Sequence, residues 1–241
     1  MVDVGAHHGT SLREFATSGA IVFAFEPDTN NRSVLVRDFG MFPNVTIDDR
    51  AVTDQDVDAL PFFTSPSSTG ISGLVAFHPD HVQAATVRGV ALRTYLADRA
   101  VARVDLLKID TEGYDLFVLK GFPWNRLRPR VVICEFEDRK TKPLGYSFLD
   151  MANYLTGLGY SILISEWYPI VRYGGQHRWR RFVDLSVSSN HHQRLLADEN
   201  AWGNFVACRD SADFTRLKRI ARRRSMWYHL GRWIGTLMLR R

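Results

Sequence analysis

The chain has 241 residues, of which 45% are hydrophobic, and this suits one large domain or a domain of about 200 residues with an appendage. The formal net charge is +5, but residues 216–241 hold nine Arg or Lys and no Asp or Glu, which leaves −4 on residues 1–215. This distribution excludes a nucleic-acid footprint spread over the domain. The two cysteines, Cys134 and Cys208, lie in apolar runs without disulfide or metal-site spacing, so we expect a reducing, cytoplasmic setting.

The predicted elements begin with a strand, a glycine turn and a helix. Residues 2–4, VDV, predict a short strand that enters the turn of residues 5–9. Thr10 or Ser11 is then expected to cap a helix that ends near Thr17.

A second strand follows, and an acid stands at its end. Residues 21–25, IVFAF, predict a buried strand, and Glu26 comes directly after it, 21 residues beyond Gly5. In cofactor-binding α/β domains, glycines in the first turn let the backbone approach the ligand, and an acid at the end of strand two accepts the ribose hydroxyls. The spacing therefore predicts a site for an adenosine-containing cofactor.

The turn does not match the pattern for a dinucleotide, because G-x-G-x-x-G would require glycine at His7 and at Thr10. A cofactor that has a ribose but no pyrophosphate tolerates this difference, and S-adenosylmethionine is the common one. The alternative is a generic glycine turn in a Rossmann-like domain that binds no cofactor.

The middle of the chain continues the alternation of helices and strands. Residues 28–39 predict the second helix, and residues 45–47 predict the third strand. Residues 59–74 combine an apolar strand signal with a Ser/Thr/Gly loop, a composition typical of a connection over a site. Residues 90–96 predict a further short strand or the start of a helix.

Residues 104–121, VDLLKIDTEGYDLFVLKG, predict a buried strand that runs directly into a helix. Asp110 and Glu112 stand where the strand ends, which is where ligands bind in open α/β sheets. The alternative is that these acids cap the helix, because acids are favoured near a helix N-terminus.

The remaining elements follow the same rules. Residues 131–134 predict another buried strand, which ends in Glu135. Residues 146–157 predict a helix, residues 160–164 the sixth strand and residues 204–208 the last one.

Residues 167–182, WYPIVRYGGQHRWRRF, mix aromatic residues with arginines around a glycine pair. Such a surface can stack on a sugar or base and bind anionic groups. The alternative is a β-hairpin with exposed arginines. The arginines concerned are Arg172, Arg178, Arg180 and Arg181.

With these motifs described, most of residues 2–165 resemble the FkbM family of S-adenosylmethionine-dependent methyltransferases. The strongest match is LLKIDTEGYDLFVLKG, because the family signature has a Lys-Ile-Asp-x-Glu-Gly core that leads to Leu-Lys-Gly. The matching residues are Lys108, Ile109, Asp110, Glu112, Gly113, Leu119, Lys120 and Gly121.

The resemblance implies a set of cofactor-binding residues in the first turn and at the ends of the strands. The family usually carries Asn where this chain has His7, so the contact with the methionine end of the cofactor is expected to differ. The residues implied are Asp3, Gly5, Ala6, His7, Gly9, Glu26, Pro27, Ala51 and Asp110.

The resemblance also implies the fold and its extent. We expect a Rossmann-like class I methyltransferase fold of the α/β class, with a mostly parallel seven-stranded sheet and helices on both faces. Residues 1–210 would form this domain, and residues 211–241 would form a basic amphipathic C-terminal helix.

The implied activity is methyl transfer to oxygen, typically to a hydroxyl of a sugar, a glycan or a natural product. Because the reaction is an in-line displacement from a sulfonium, positioning matters most and a base need only remove the hydroxyl proton. Asp110 is the first catalytic candidate and Glu112 the second, with Glu135 and His8 behind them. Asp110 and Glu135 would also suit Mg²⁺, and this point stays open.

The tail carries apolar residues at three- and four-residue steps, with Arg and Lys on the opposite side. A helix of this kind lies on an anionic membrane, or packs its stripe on the domain or on a second subunit. The first possibility gives an alternative function, a non-catalytic Rossmann-like domain whose basic tail, residues 214–241, serves a membrane or protein partner. The stripe consists of Phe214, Leu217, Ile220, Ala221, Trp227, Leu230, Ile234, Leu237 and Met238.

Overall fold

The structure is a computed structural model that describes residues 1–188 and 195–223. The strands in these ranges are β1 (Val2–Val4), β2 (Val22–Phe25), β3 (Val45–Asp48), β4 (Ala51–Thr53), β5 (Val57–Thr64), β6 (Val82–Ala91), β7 (Leu106–Ile109), β8 (Val131–Glu137), β9 (Ser161–Trp167), β10 (Trp179–Asp184) and β11 (Trp202–Cys208). The helices are α1 (Arg13–Thr17), α2 (Thr29–Phe39), α3 (Leu92–Asp98), α4 (Asp115–Gly121), α5 (Asp138–Thr141), α6 (Phe148–Gly157), α7 (Leu185–Ser188) and α8 (Ser211–Arg223).

The main sheet is mostly parallel, as predicted, and its strand order is β10-β9-β11-β8-β7-β1-β2-β3. The five strands from β8 to β3 pair in parallel, whereas β11 is antiparallel to both of its neighbours. Because β9 runs in the same direction as β8, the carboxyl ends of β1, β2, β7, β8 and β9 lie along one edge. This edge is where the α/β architecture places ligands.

The main sheet has eight strands in the described residues, one more than the seven predicted. The additional strand is β10, which pairs antiparallel to β9 and carries a register irregularity between Trp179 and Arg181. Its sequence contains three charged residues in six, so it lacks the apolar run that indicates a buried strand. An edge strand needs no such run, because only one of its sides is paired.

Helices cover both faces of the main sheet, and the strand residues alternate between two hydrophobic cores. In β7, Leu107 and Ile109 join the core under α3, α4 and α6, whereas Leu106 joins the core under α1, α2 and α8. This alternation explains why the strand reads as a continuous apolar run.

A second, three-stranded sheet has the order β4-β6-β5 and is inserted between β3 and β7. A Cβ added at Gly121, the last residue of α4, would lie 2.2 Å from the carbonyl oxygen of Thr53 in β4, so this contact requires glycine. The sequence predicted only part of the second sheet. One missed part is β4, whose three residues are too short a run to indicate a strand. The other is the beginning of β6, where residues 82–86 are exposed and therefore show no apolar alternation.

Helix α8 packs the first part of the predicted apolar stripe on the main sheet. Phe214, Leu217 and Ala221 are buried in the core that α1 and α2 also cover. The helix is fixed further by an ion pair between Arg130 and Asp213, which holds its first turn at the sheet.

The rest of the predicted terminal helix, residues 224–241, lies outside the described residues, so its membrane contact stays a prediction. Among the helices that the structure describes, none has the length and apolar character needed to cross a bilayer.

Candidate active site

The turn after β1 is clamped between the ends of two other strands. The backbone N–H groups of Gly5 and Ala6 both donate to the carbonyl oxygen of Phe25, at 3.0 Å each. Gly5 has a φ of +76°, and a Cβ at this position would lie 1.8 Å from the carbonyl oxygen of Asp110. Only glycine fits here, because β1 and β7 bring the two backbones into contact.

His7 occupies the left-handed region at φ 49°, which is uncommon for a residue other than glycine. Its backbone N–H donates to Glu26 Oε2 at 2.7 Å, its ring stacks on His8 at 3.8 Å, and its Nε2 lies 3.1 Å from Thr69 Oγ1. Burial lowers the pKa of the His7 imidazole, which favours the neutral ring near neutral pH. Strained backbone of this kind is concentrated at functional sites.

Glu26 is 5% exposed at the end of β2. Its two carboxylate oxygens accept backbone hydrogen bonds from His7 and, at 2.9 Å, from Asp28. Burial raises the pKa of the Glu26 carboxyl to about 7. Each oxygen retains a further lone pair, so the side chain is oriented by the backbone and can still accept a ligand hydroxyl.

Behind the turn, Lys108 connects the ends of β1 and β7. Its Nζ lies 3.0 Å from Asp3 Oδ1 and 3.5 Å from Asp110 Oδ2, and it donates to the carbonyl oxygen of Gly5 at 3.0 Å. Burial acts to lower the pKa of the ammonium, but the two carboxylates hold this pKa above its ordinary value. Lys108 therefore fixes Asp110 relative to the turn.

Asp3 is completely buried and accepts a hydrogen bond from Ser11 Oγ at 2.6 Å. This contact explains why the predicted helix cap at Thr10 or Ser11 is wrong: α1 starts later, at Arg13, without a side-chain cap. Gly9 packs against Phe39, so neither Asp3 nor Gly9 lines the cavity at this edge. Their structural role is to support the turn from behind.

A cavity of about 850 Å³ opens at the carboxyl ends of β1, β2 and β7. This volume is within the range of small-molecule sites, roughly 300–1,000 Å³. Seven of the nine predicted cofactor residues line the cavity: Gly5, Ala6, His7, Glu26, Pro27, Ala51 and Asp110.

The loop between β5 and β6 covers one side of this cavity, as its Ser/Thr/Gly composition predicted. Thr69 contacts the turn through His7, and its carbonyl oxygen accepts a hydrogen bond from Asn31 Nδ2 in α2 at 3.0 Å. The loop is thereby tied to both elements that hold the adenosine side of the predicted site.

Beside the cavity, three carboxylates surround one buried ammonium group. Lys140 is 1% exposed, and its Nζ lies 2.5 Å from Glu112, 2.9 Å from Glu135 and 2.9 Å from Glu137. We call these four residues the acid–lysine cluster. Burial opposes the charge on Lys140, but the carboxylates hold its pKa well above the ordinary value.

Burial also changes the pKa values of the acids in this cluster. It raises the pKa of Glu112 to about 7 and that of Glu135 well above its ordinary range, against the attraction of Lys140. One ammonium cannot compensate three buried carboxylates, so the acid–lysine cluster retains protons near neutral pH. Glu112 also lines the cavity, which makes it the member that can reach a ligand.

The alternative that Asp110 and Glu112 cap α4 is wrong. The N-cap is Tyr114, which makes no side-chain cap, and the acid in the first turn is Asp115, which accepts from the Thr111 hydroxyl at 2.7 Å. Glu112 instead has a φ of 56° and turns its carboxylate towards Lys140.

Asp110, Glu112 and Glu135 bring one carboxylate oxygen each within 4.8 Å of one another, a set of ligands that Mg²⁺ prefers. However, Lys140 already bonds to two of the three, and a dication among the same oxygens would be repelled by the buried ammonium. The three carboxylates with Lys140 between them therefore do not fit a metal ion.

Sequence patterns indicated Glu112 and Glu135 in this cluster but not Lys140 or Tyr173, whose hydroxyl donates to Glu137 at 2.9 Å. Lysines are rarely buried, so nothing marked Lys140 except its position three residues after Glu137. Tyr173 lies 36 residues from its partner and carries no local signal.

The comparison with protein families finds a methyltransferase domain. The sequence model of the Methyltransferase FkbM domain matches residues 3–162. Among solved structures, the chain is similar to the methyltransferase FkbM from Methylobacillus flagellatus KT, with 17% identity and a TM-score of 0.46. The match covers 86% of this chain and 42% of the chain from Methylobacillus flagellatus KT, so this chain spans less than half of the length of that protein.

The chain is also similar to precorrin-6y C5,15-methyltransferase from Geobacter metallireducens GS-15, with 13% identity, a TM-score of 0.41 and coverage of 86% of this chain and 78% of that one. No curated protein matches the sequence. The family match, over residues 3–162, contains every residue that lines the cavity. This chain therefore belongs to the FkbM family of methyltransferases.

Proposed function

We propose that this protein uses S-adenosylmethionine as its methyl donor and methylates a hydroxyl oxygen of a sugar, a glycan or a natural product. The observation that carries the proposal is that Glu26 and Asp110, from the ends of two strands, line one cavity together with the glycine turn. Members of the family are methyltransferases, and a cavity of about 850 Å³ has room for a nucleoside cofactor and part of an acceptor.

The residues at one end of the cavity fit the adenosine part of the cofactor. Glu26 would accept the ribose hydroxyls, because its carboxylate is oriented by two backbone N–H groups. Pro27, Arg50 and Ala51 line the cavity beside it and would enclose the base. Gly5 and His7 line the cavity in the turn and would face the methionine end.

The other end of the cavity carries the polar groups that an acceptor hydroxyl needs. When bound, S-adenosylmethionine supplies an electrophilic methyl group on a sulfonium, which the hydroxyl oxygen attacks in line. Asp110, fixed by Lys108, would orient the hydroxyl, and Glu112 would accept its proton. A carboxyl with a pKa of about 7 is suited to this step, because general bases work best near the operating pH.

The donor is tested by calorimetry of the whole chain with S-adenosylmethionine and with S-adenosylhomocysteine. We expect one site for each, and an absence of binding by the wild type would refute the proposal. Asp110→Asn should slow methyl transfer by at least about 100-fold while leaving the melting temperature unchanged, because Asn keeps the shape and removes the charge.

Asp105→Asn provides the matched control, because Asp105 precedes β7 and so lies at the opposite end of the same strand. It should retain full activity. Equal loss of activity in both variants, or loss of stability with unchanged specific activity in Asp110→Asn, would remove Asp110 from the reaction.

A further inference from the structure

Three arginines at the β9–β10 connection do not line the cavity: Arg172 and Arg178 lie in the segment between the two strands, and Arg180 is the second residue of β10. We call them the loop arginines. The segment leaves the carboxyl end of β9, and β10 is antiparallel to β9, so all three lie on the same edge of the sheet as Asp110.

This segment is held in place by contacts on both sides. The Tyr173 hydroxyl donates to Glu137 in the acid–lysine cluster, and the Tyr173 ring meets the Phe77 ring edge to face at 5.5 Å. Trp202 Nε1 donates to the carbonyl oxygen of Tyr168 at 3.0 Å. The loop arginines thus belong to an anchored part of the chain that contacts the acid–lysine cluster.

Two of the loop arginines are oriented by an aromatic ring, and none of the three is neutralised by a carboxylate among the described residues. The guanidinium carbons of Arg178 and Arg180 each lie 4.8 Å from the centre of the Tyr168 ring, a cation–π arrangement that orders both side chains. Throughout residues 1–188 and 195–223, no carboxylate forms an ion pair with any loop arginine. The neighbouring Arg181, in contrast, pairs with the buried Glu166 at 2.5 Å.

Ordered guanidinium groups with free N–H donors favour planar or tetrahedral anions, which they bind through paired hydrogen bonds. Ordering by Tyr168 reduces the conformational entropy that an anion would otherwise have to overcome on binding. Such a group of charges without a carboxylate partner therefore has the properties of an anion subsite.

We propose that the loop arginines bind a phosphate or carboxylate group of the methyl acceptor. The inference rests on the proposed function, and it specifies the acceptor as an anionic one. The β9–β10 segment reaches the end of β8 through the bond between Tyr173 and Glu137, so the anion would bind beyond the acid–lysine cluster. We therefore expect an acceptor that carries its anionic group apart from the methylated hydroxyl, such as an acidic oligosaccharide or a glycosyl phosphate.

The subsite is tested with inorganic pyrophosphate as the probe, titrated into the whole chain by calorimetry at low salt. We expect saturable binding to the wild type. Arg178→Gln and Arg180→Gln should each raise the Kd about tenfold or more, because each removes charge-assisted hydrogen bonds. Arg103→Gln should leave the Kd unchanged, because Arg103 pairs with Asp105 at the opposite edge of the sheet.

A second titration with S-adenosylmethionine on the same samples separates this inference from the proposed function. Both Gln variants should bind the cofactor as the wild type does. If the wild type binds pyrophosphate but not the cofactor, the proposed function fails and the anion subsite stands. If pyrophosphate competes with the cofactor, or binds all variants equally, the subsite is wrong.

A third measurement distinguishes an acceptor anion from a lipid headgroup. With vesicles of phosphatidylcholine and phosphatidylglycerol at physiological salt, Arg178→Gln and Arg180→Gln should sediment to the same extent as the wild type. Sedimentation that requires Arg178 and Arg180, and that pyrophosphate does not reverse, would assign the loop arginines to a membrane surface and overturn the acceptor assignment.

Discussion

The active-site edge has two halves that are built by different means. In the half proposed for the cofactor, at the ends of β1, β2 and β7, backbone groups fix the geometry: Gly5 contacts the backbone at Asp110, and two backbone N–H groups hold Glu26. We call it the cofactor half. In the half proposed for the acceptor, which we call the acceptor half, side chains at the end of β8 bond to side chains around Lys140. Substitutions can change little in the first half, because its contacts are made by the backbone. In the second half, substitutions of side chains can change which ligand fits.

The largest expected effect comes from filling the contact at the turn. Gly5→Ala would place a Cβ 1.8 Å from the Asp110 carbonyl oxygen at a φ of +76°, so β1 and β7 would have to separate. We expect the free energy of unfolding to fall by at least about 4 kcal/mol, as for the most severe single substitutions. Urea denaturation measures this change.

Gly19→Ala is the matched control, because Gly19 has a φ of +79° but no atom within 4 Å of the added Cβ. Gly19→Ala should lower the free energy of unfolding only by the backbone strain, about 1 kcal/mol. Equal losses in the two variants would show that strain alone, and not the contact of β1 with β7, makes Gly5 necessary.

In the acceptor half, Lys140→Met would leave three buried carboxylates without their ammonium. Removing one partner from a buried ion pair costs about 3–5 kcal/mol. The loss should be greater at pH 8 than at pH 5, because burial raises the pKa of Glu112 to about 7 and the acids can take up protons at the lower pH. Denaturation at the two pH values measures it, and a loss independent of pH would contradict the charge explanation.

Glu112→Gln tests the base within the same cluster. The carboxylate must be ionised to accept a proton, so the wild-type rate should rise with pH up to about 7 and then level off. The variant should be slower by about 100-fold, the lower range for general base catalysis, and should lose this rise. Calorimetry should give an unchanged affinity for the cofactor. A variant that keeps the rise would transfer the role of base to another group.

The smallest expected effect returns to the cofactor half. Glu26→Ala should weaken the binding of S-adenosylmethionine by about 1.5–3 kcal/mol, the range for hydrogen bonds to a charged group. Calorimetry measures the loss, and Glu14→Gln, which alters an acid farther along the same cavity in α1, provides a comparison. An unchanged affinity in Glu26→Ala would place the ribose elsewhere.

The same division explains what the sequence could predict. Glu26 and Asp110 follow buried strands directly, so local rules placed them at the correct edge, and the mostly parallel sheet followed from the same strands. Asp3 was assigned to the cofactor because it lies in the right segment, but Lys108, more than one hundred residues away, takes its carboxylate. Local patterns do not show which side of a strand end faces the ligand.

The acceptor half could not be predicted to the same extent, because its contacts join distant segments. Tyr173 reaches Glu137 only because the β9–β10 segment folds back over the end of β8, and β10 itself has no apolar signal. The beginning of β6 in the second sheet was missed for a similar reason, since this part of the strand is exposed and carries no alternation. Patterns of burial indicate elements well only where one face is buried.

The bonds that Thr69 makes to His7 and Asn31 have a kinetic consequence. They hold the loop against the turn and against α2 on one side of the cavity. With the proposed donor, we expect the loop to open and close as the donor exchanges, so that the donor binds before the acceptor and S-adenosylhomocysteine leaves last. Turnover would then be limited by product release, and the spent cofactor would inhibit competitively against S-adenosylmethionine.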